Sequence, residues 1–252
     1  VVSTVFIECG AMYKTSGPEA FRVVGETEFV NGVAAMSESG LYGDCRVAAG
    51  IVGAVNLDIG AAAGEVLDAH IQAGGGRFRG IRCQGNWDVR DAVKGGRDVT
   101  GPDRFQNARF REGFRELAPR RLSFEAWCYH PQIPQVTDLA RAFPDTTIIL
   151  NHFGGPIGVG PYAGQADEIF SAWRKDIVEL ARSENVVAKL GGLIVDRHGE
   201  AVVREMAQSW LFVVNLFDDA EMALAKADLT IAARYAELAG SPAGASDSAG
   251  SE

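Results

Sequence analysis

Apolar residues gather along the chain into six short runs rich in β-branched side chains: Val5-Phe6-Ile7, Val47 to Val55, Phe78 to Arg82, Leu122 to Tyr129, Thr146 to Leu150 and Val186 to Leu190. Each run has the length and composition of a buried strand. Between them, Phe29 to Ser39, Gly64 to Ala73, Phe105 to Leu117, Ile133 to Ala142 and Ala166 to Arg182 repeat apolar positions at helical spacing. The alternation predicts a repeated β-α unit. Such units build a parallel sheet, because each crossover helix returns the chain to the same edge direction with the right-handed sense that twisted strands impose.

Two parallel architectures fit, a barrel and a doubly wound sheet. A doubly wound dinucleotide fold expects a glycine-rich turn after its first strand, and Glu8-Cys9-Gly10-Ala11-Met12-Tyr13 does not match G-x-G-x-x-G. The Gly74-Gly75-Gly76 run precedes a strand rather than a helix, so it reads as a turn and not as a phosphate cradle. Polar residues favour the barrel: Glu8, Arg82, His130 and His152 each fall at or just beyond the C-terminal end of a predicted strand. In a barrel those ends converge on one mouth.

After Gly192 the rhythm changes. Residues 194–239 have helix-forming composition with only a weak apolar run from Leu211 to Leu216, and 240–252 is a Gly, Ala and Ser tail expected to be disordered. The expected organisation is a β/α barrel over 1–193, a helical segment over 194–239 and a tail over 240–252.

Composition narrows the class. The chain is 47% hydrophobic and 23% charged over 252 residues, which suits a globular α/β domain with a large core. No apolar run reaches the roughly 18 residues of a membrane span, and the first residues lack a basic signal region, so a cytoplasmic location without membrane contact is expected. Net charge is −9 with scattered basic residues, which argues against nucleic acid as a partner. The four cysteines, Cys9, Cys45, Cys83 and Cys128, form no C-x-x-C pair and are expected as reduced thiols. Cys9, Cys83 and Cys128 are expected as small core fillers.

Candidate chemistry sits at the strand ends. His130, in Trp127-Cys128-Tyr129-His130-Pro131-Gln132, is followed by a proline that ends the strand. An imidazole there could bind a divalent metal or donate to a substrate carbonyl or carboxylate; it could equally be a hydrogen-bonded turn residue. His152, in Leu150-Asn151-His152-Phe153-Gly154-Gly155-Pro156, precedes two glycines that let the backbone turn sharply away from a close ligand. Arg82 ends an otherwise apolar strand, where a guanidinium requires an anionic partner, either a carboxylate-bearing substrate or Glu8 across the mouth. His70 and His198 are read as solvated or capping residues, and Asp218-Asp219 as a helix cap. H-E-x-x-H, G-x-S-x-G and Walker loops are absent from the sequence, which removes zincin, serine-hydrolase and P-loop chemistry.

The segments Val5 to Tyr13, Phe78 to Arg82, Trp127 to Gln132 and Leu150 to Pro156 resemble the amidohydrolase-2 family of predicted TIM-barrel hydrolases. Within it they resemble the branch with 2-pyrone-4,6-dicarboxylate lactonase, sulfomuconolactonase and fuconolactonase. The resemblance covers about residues 2 to 193 and implies a (β/α)8 barrel of which the second through seventh strands are recognisable. It implies hydrolysis of a lactone-like cyclic ester on a carboxylated small molecule, with His130 and His152 as catalytic residues and possible ligands of zinc or manganese. Arg82, Glu8 and Asn151 are implied as substrate contacts. A metal-free site and a homo-oligomer stay open.

The sequence departs from the family pattern at both ends. The family's first strand normally supplies an H-x-H pair, and the sequence begins at Val1 without it; nothing after Gly192 reproduces the strand that normally supplies an Asp. An ending of this kind is expected from a truncated or frame-shifted reading. A barrel short of two strands keeps open edges, and the alternative expectation is an inactive barrel or a small-anion-binding remnant.

Overall fold

The computed structural model describes residues 2–90, 93, 96, 99, 101–158 and 160–189. The segments 194–239 and 240–252, with Leu211 to Leu216, His198 and Asp218-Asp219, lie outside the described residues. Those described fall within one unit, Val1–Lys189.

Strands and helices alternate as the apolar pattern predicts. The strands are β1 (Ser3–Ile7), β2 (Arg46–Ala54), β3 (Phe78–Gln84), β4 (Ser123–Trp127), β5 (Ile148–Leu150) and β6 (Val186–Ala188). The helices are α1 (Val24–Glu38), α2 (Ala63–Ala73), α3 (Ala108–Phe114), α4 (Ile133–Ala142) and α5 (Ala166–Leu180). Helix α1 begins five residues before the predicted Phe29, because Val24 to Thr27 are buried and cannot fray. Helix α3 is shorter than predicted. Phe105 belongs to a separate 3-10 turn, Arg104–Gln106, and Asn107 then caps α3 by accepting from the amides of Arg109 and Phe110.

All strand pairs are parallel, and the sheet order is β1-β2-β3-β4-β5-β6. This order decides between the two architectures. Right-handed crossovers between successive neighbours keep every helix on the same face, whereas a doubly wound sheet reverses its order to cover both. The fold is therefore an incomplete (β/α) barrel of the α/β class, with β1 and β6 at the two ends of its sheet among the described residues. On β1, Ser3, Thr4 and Val5 are exposed, as an unpaired edge would leave them.

Alternation on β4 shows the two faces. Phe124 is fully buried among Phe105, Phe110 and Phe114, with ring centroids 6.0, 6.0 and 5.0 Å away. That cluster is the core between sheet and helices. Glu125, its neighbour, points to the opposite, lumenal face. Gly80 on β3 lies beside Ser123 in register, and a Cβ there would stand 2.5 Å from the Ser123 carbonyl oxygen. Gly80→Ala is accordingly expected to cost about 1–3 kcal/mol by overpacking, read as a shift in the urea midpoint at constant slope.

Two expectations are corrected. His70 is wholly buried rather than solvated: Nδ1 lies 2.8 Å from Thr27 Oγ1, Nε2 lies 3.2 Å from the Ala54 carbonyl, and the ring stacks on Phe78. It is a core residue joining α1, α2 and β2. Cys9 is exposed rather than a core filler, because the turn after β1 lifts it away from the sheet, while Cys83 and Cys128 are buried as expected. All four cysteines are free. No helix among the described residues is long and apolar enough to cross a membrane.

Candidate active site

The lumenal face carries a charged network at the C-terminal ends of the strands. Arg82 and Glu125 are register partners on β3 and β4, so their side chains leave the sheet side by side. Arg82 Nη2 donates to Glu125 Oε2 at 3.3 Å, and Arg82 Nη1 stands 3.8 Å from Glu8 Oε1. The other Glu125 oxygen, Oε1, accepts from Lys189 Nζ, just beyond β6. Asn151, just beyond β5 and fully buried, fits between them: its amide donates to Glu125 Oε2 at 3.2 Å and accepts from Arg82 Nε at 3.2 Å. Glu125 is 1% exposed, so both its oxygens require partners and both have them. Burial lowers the Lys189 pKa, an effect the Glu125 carboxylate opposes.

The intramolecular partners of Arg82 include one that the sequence did not suggest. Its close carboxylate is Glu125, with Glu8 more distant. Asn151, expected at the substrate, also joins Arg82 to Glu125 within the protein.

His130 lies in the turn after β4, beside the turn after β5. Its amide donates to the Gly155 carbonyl at 3.2 Å, and the Ile157 amide donates to His130 Nδ1 at 3.4 Å. An N–H facing Nδ1 leaves the proton of the neutral ring on Nε2. Burial pulls the His130 pKa down to about 4, so the ring is neutral at pH 7. Tyr162 packs edge-on against it, 5.4 Å between centroids. The Tyr162 hydroxyl donates to Asp88 Oδ2 at 2.7 Å, and Arg90 grips Asp88 through Nε and Nη2 while its guanidinium lies 4.0 Å over the Tyr162 ring. The Arg90 guanidinium and the Tyr162 hydroxyl hold the Asp88 carboxyl well below the usual carboxylate range. Gln132, buried in the same turn as His130, donates to the Trp87 carbonyl at 2.9 Å and so anchors the loop bearing Asp88 and Arg90.

His152 opens a left-handed turn. His152, Phe153, Gly154 and Gly155 have φ of 51°, 56°, 71° and 49°, so the two residues before the glycines adopt a conformation that side chains disfavour. Trp173 fixes this turn by donating from Nε1 to the Phe153 carbonyl at 2.6 Å. The His152 ring meets Trp127 edge-on at 4.8 Å, and Trp127 shares the lumenal face of β4 with Glu125. The two histidines therefore pack on different aromatic partners, Tyr162 and Trp127.

The amidohydrolase family model matches residues 8–236. The chain belongs to the amidohydrolase-2 family. A relative in Sinorhizobium fredii, the uncharacterized protein y4mH, is 38% identical over 130 residues, which are 52% of this chain and 40% of that protein. The chain thus spans about two-fifths of that curated relative's length. Among solved structures, an amidohydrolase from Burkholderia multivorans with bound zinc has a TM-score of 0.59 at 21% identity, covering 85% of this chain and 70% of that one. A structure from the same organism with bound HEPES gives 0.59 at 18%, covering 94% and 91%. At these identities the likeness shows the amidohydrolase fold.

The described residues of this amidohydrolase do not fit a tightly held divalent ion. Among them no three His, Cys, Asp or Glu side chains gather as metal ligands. The Glu125 carboxylate already bridges two cations, and His130 turns Nδ1 toward an N–H donor, whereas a ligating imidazole usually donates from its second nitrogen to an acceptor.

Glu125, Lys189, Asp88, Arg90, Gln132 and Tyr162 were missed by sequence reasoning. Glu125 carried a signal: an acidic residue in the middle of the apolar run Leu122 to Tyr129 must face a lumen or find a cation. Lys189, at the end of the last apolar run, carried the same one.

Proposed function

We propose that the chain carries the site of a hydrolase opening a lactone-like cyclic ester of a carboxylated small molecule. The observation that supports this reading is that a braced cation, Arg82 on β3, and a neutral imidazole, His130 in the turn after the neighbouring β4, lie toward the C-terminal ends of adjacent strands in an amidohydrolase-2 barrel. Arg82, held in place by Glu125 and Asn151, presents its guanidinium as a hydrogen-bonding partner for the substrate carboxylate. His130 Nε2–H donates to the scissile carbonyl oxygen, where negative charge builds as water attacks. His152, whose ring packs edge-on against Trp127 on the lumenal face of β4, is a second donor to that oxygen. Glu8 borders the carboxylate pocket. A base must accept the proton of the attacking water; the family resemblance assigns that role to an Asp of the last strand, which nothing after Gly192 reproduces.

The zinc of the Burkholderia structure belongs to that protein; no step of this reading runs through a metal. A second reading, a small-anion binder without catalysis, is supported by the same braced cations.

The test is a pH-stat assay of the purified chain against carboxylated lactones, starting with 5-oxotetrahydrofuran-2-carboxylate, with and without EDTA. Turnover that survives EDTA and falls about 100-fold or more in a folded His130→Ala variant is the expected result. A folded chain that opens none of these lactones sinks the hydrolase reading and leaves the anion binder.

A further inference from the structure

We infer that Lys189, rather than Arg82 alone, receives the substrate carboxylate, and that Glu125 is the buried post that aims both cations at it. The inference rests on the proposed reading that the site takes a carboxylated ligand, and it adds a binding residue to that site.

The argument is one of donor supply. Arg82 offers five N–H donors in a planar fork. Its Nε is occupied by Asn151, its Nη2 by Glu125, and its Nη1 faces Glu8. The side chain is only 17% exposed. Much of the guanidinium is therefore committed within the protein, and its charge is shared between two carboxylates. Lys189 offers three donors, of which Glu125 Oε1 takes one. Its side chain is 34% exposed, twice the exposure of Arg82, so solvent and a ligand reach it.

Glu125 explains why a lysine at that place is useful rather than mobile. A free lysine side chain samples many rotamers, and ordering it on ligand binding costs conformational entropy. Here the ammonium is already tethered to a carboxylate 1% exposed, whose second oxygen is pinned by Arg82 and Asn151. The strand geometry sets the spacing, since β3, β4, β5 and β6 are consecutive in the sheet and Lys189 reaches across β5 to Glu125. A ligand carboxylate arriving beside the pair meets donors that are oriented before it binds.

The experiment is calorimetric titration of the whole chain with 5-oxotetrahydrofuran-2-carboxylate and with its ring-opened product, 2-hydroxyglutarate. It compares wild type, Lys189→Met, Lys189→Arg and a surface control, Lys175→Met, with a thermal melt of each. The expected result is a Kd raised about tenfold or more in Lys189→Met, largely restored in Lys189→Arg and unchanged in Lys175→Met. If Lys189→Met is too unstable to titrate, Lys189→Arg and Lys189→Gln carry the test, with retained binding in the first and lost binding in the second expected. Wild-type affinity in a folded Lys189→Met or Lys189→Gln overturns the inference and assigns Lys189 to Glu125 alone. Failure of the wild type to bind either carboxylate also overturns it. Binding lost with Lys189 in a chain that opens no lactone upholds the carboxylate site while sinking the hydrolase reading.

Discussion

Glu125→Gln is expected to lower the free energy of unfolding by about 3 kcal/mol, measured as a drop in urea midpoint at constant slope. The substitution is nearly isosteric, so it opens no cavity, and its cost is electrostatic. In the wild type one carboxylate, 1% exposed, answers two cations from different strands. Neutralising it leaves Arg82, 17% exposed, with Glu8 at 3.8 Å as its remaining carboxylate, and leaves Lys189 without the partner that opposes its desolvation. The effect falls at the lower end for a broken buried pair because Lys189 is a third exposed and can turn toward water. Adding Lys189→Met to Glu125→Gln is expected to cost less than Lys189→Met alone, since the second change no longer strands a charge. A loss below about 0.5 kcal/mol, the range of ordinary surface substitutions, would show that the network is solvated and does not brace the mouth.

The same network shows how far the sequence could be read. Strand positions were legible because hydrophobicity alone marks them: Ile81 and Phe124 are wholly buried and lie in the runs that predict β3 and β4. The barrel was legible too, because four polar residues at strand ends imply one shared mouth, and the sequential sheet order bears this out. What the sequence could not settle was pairing. Arg82 plainly required an anion, but Glu8, Glu125 and a substrate carboxylate are equivalent until the register sets Arg82 beside Glu125. Asn151 was implied as a substrate contact by the family resemblance alone, and its bonds to both Arg82 and Glu125 were not legible because they depend on the same register. His70 was misread for a related reason. A histidine within an amphipathic helix looks solvated unless one knows that Thr27 and the Ala54 carbonyl converge on its two nitrogens.

That misreading has a measurable consequence, because two buried histidines make the fold sensitive to mild acid. Burial pulls the pKa of His70 down to about 4, and that of His130 also to about 4, from an ordinary value of 6.5. Above pH 6.5 both are neutral whether the chain is folded or not, and they do not change stability with pH. As pH falls below 6.5 the unfolded chain takes up protons that the folded chain refuses, so stability is lost progressively down to about pH 4. Each ring contributes about 3 kcal/mol to that loss. Asp88 acts in a separate window: its depressed pKa stabilises the fold above its ordinary 3.8 and loses that contribution only at more acid pH. Urea unfolding of the wild type at pH 7, 5.5 and 4.5 should therefore show a steady decline. His70→Gln should be less stable than wild type at pH 7, having lost a well-placed donor and acceptor, yet show about half the decline on acidification. Parallel curves for the two proteins would mean that His70 takes up its proton as readily in the fold as in the unfolded chain, so that burial does not depress its pKa.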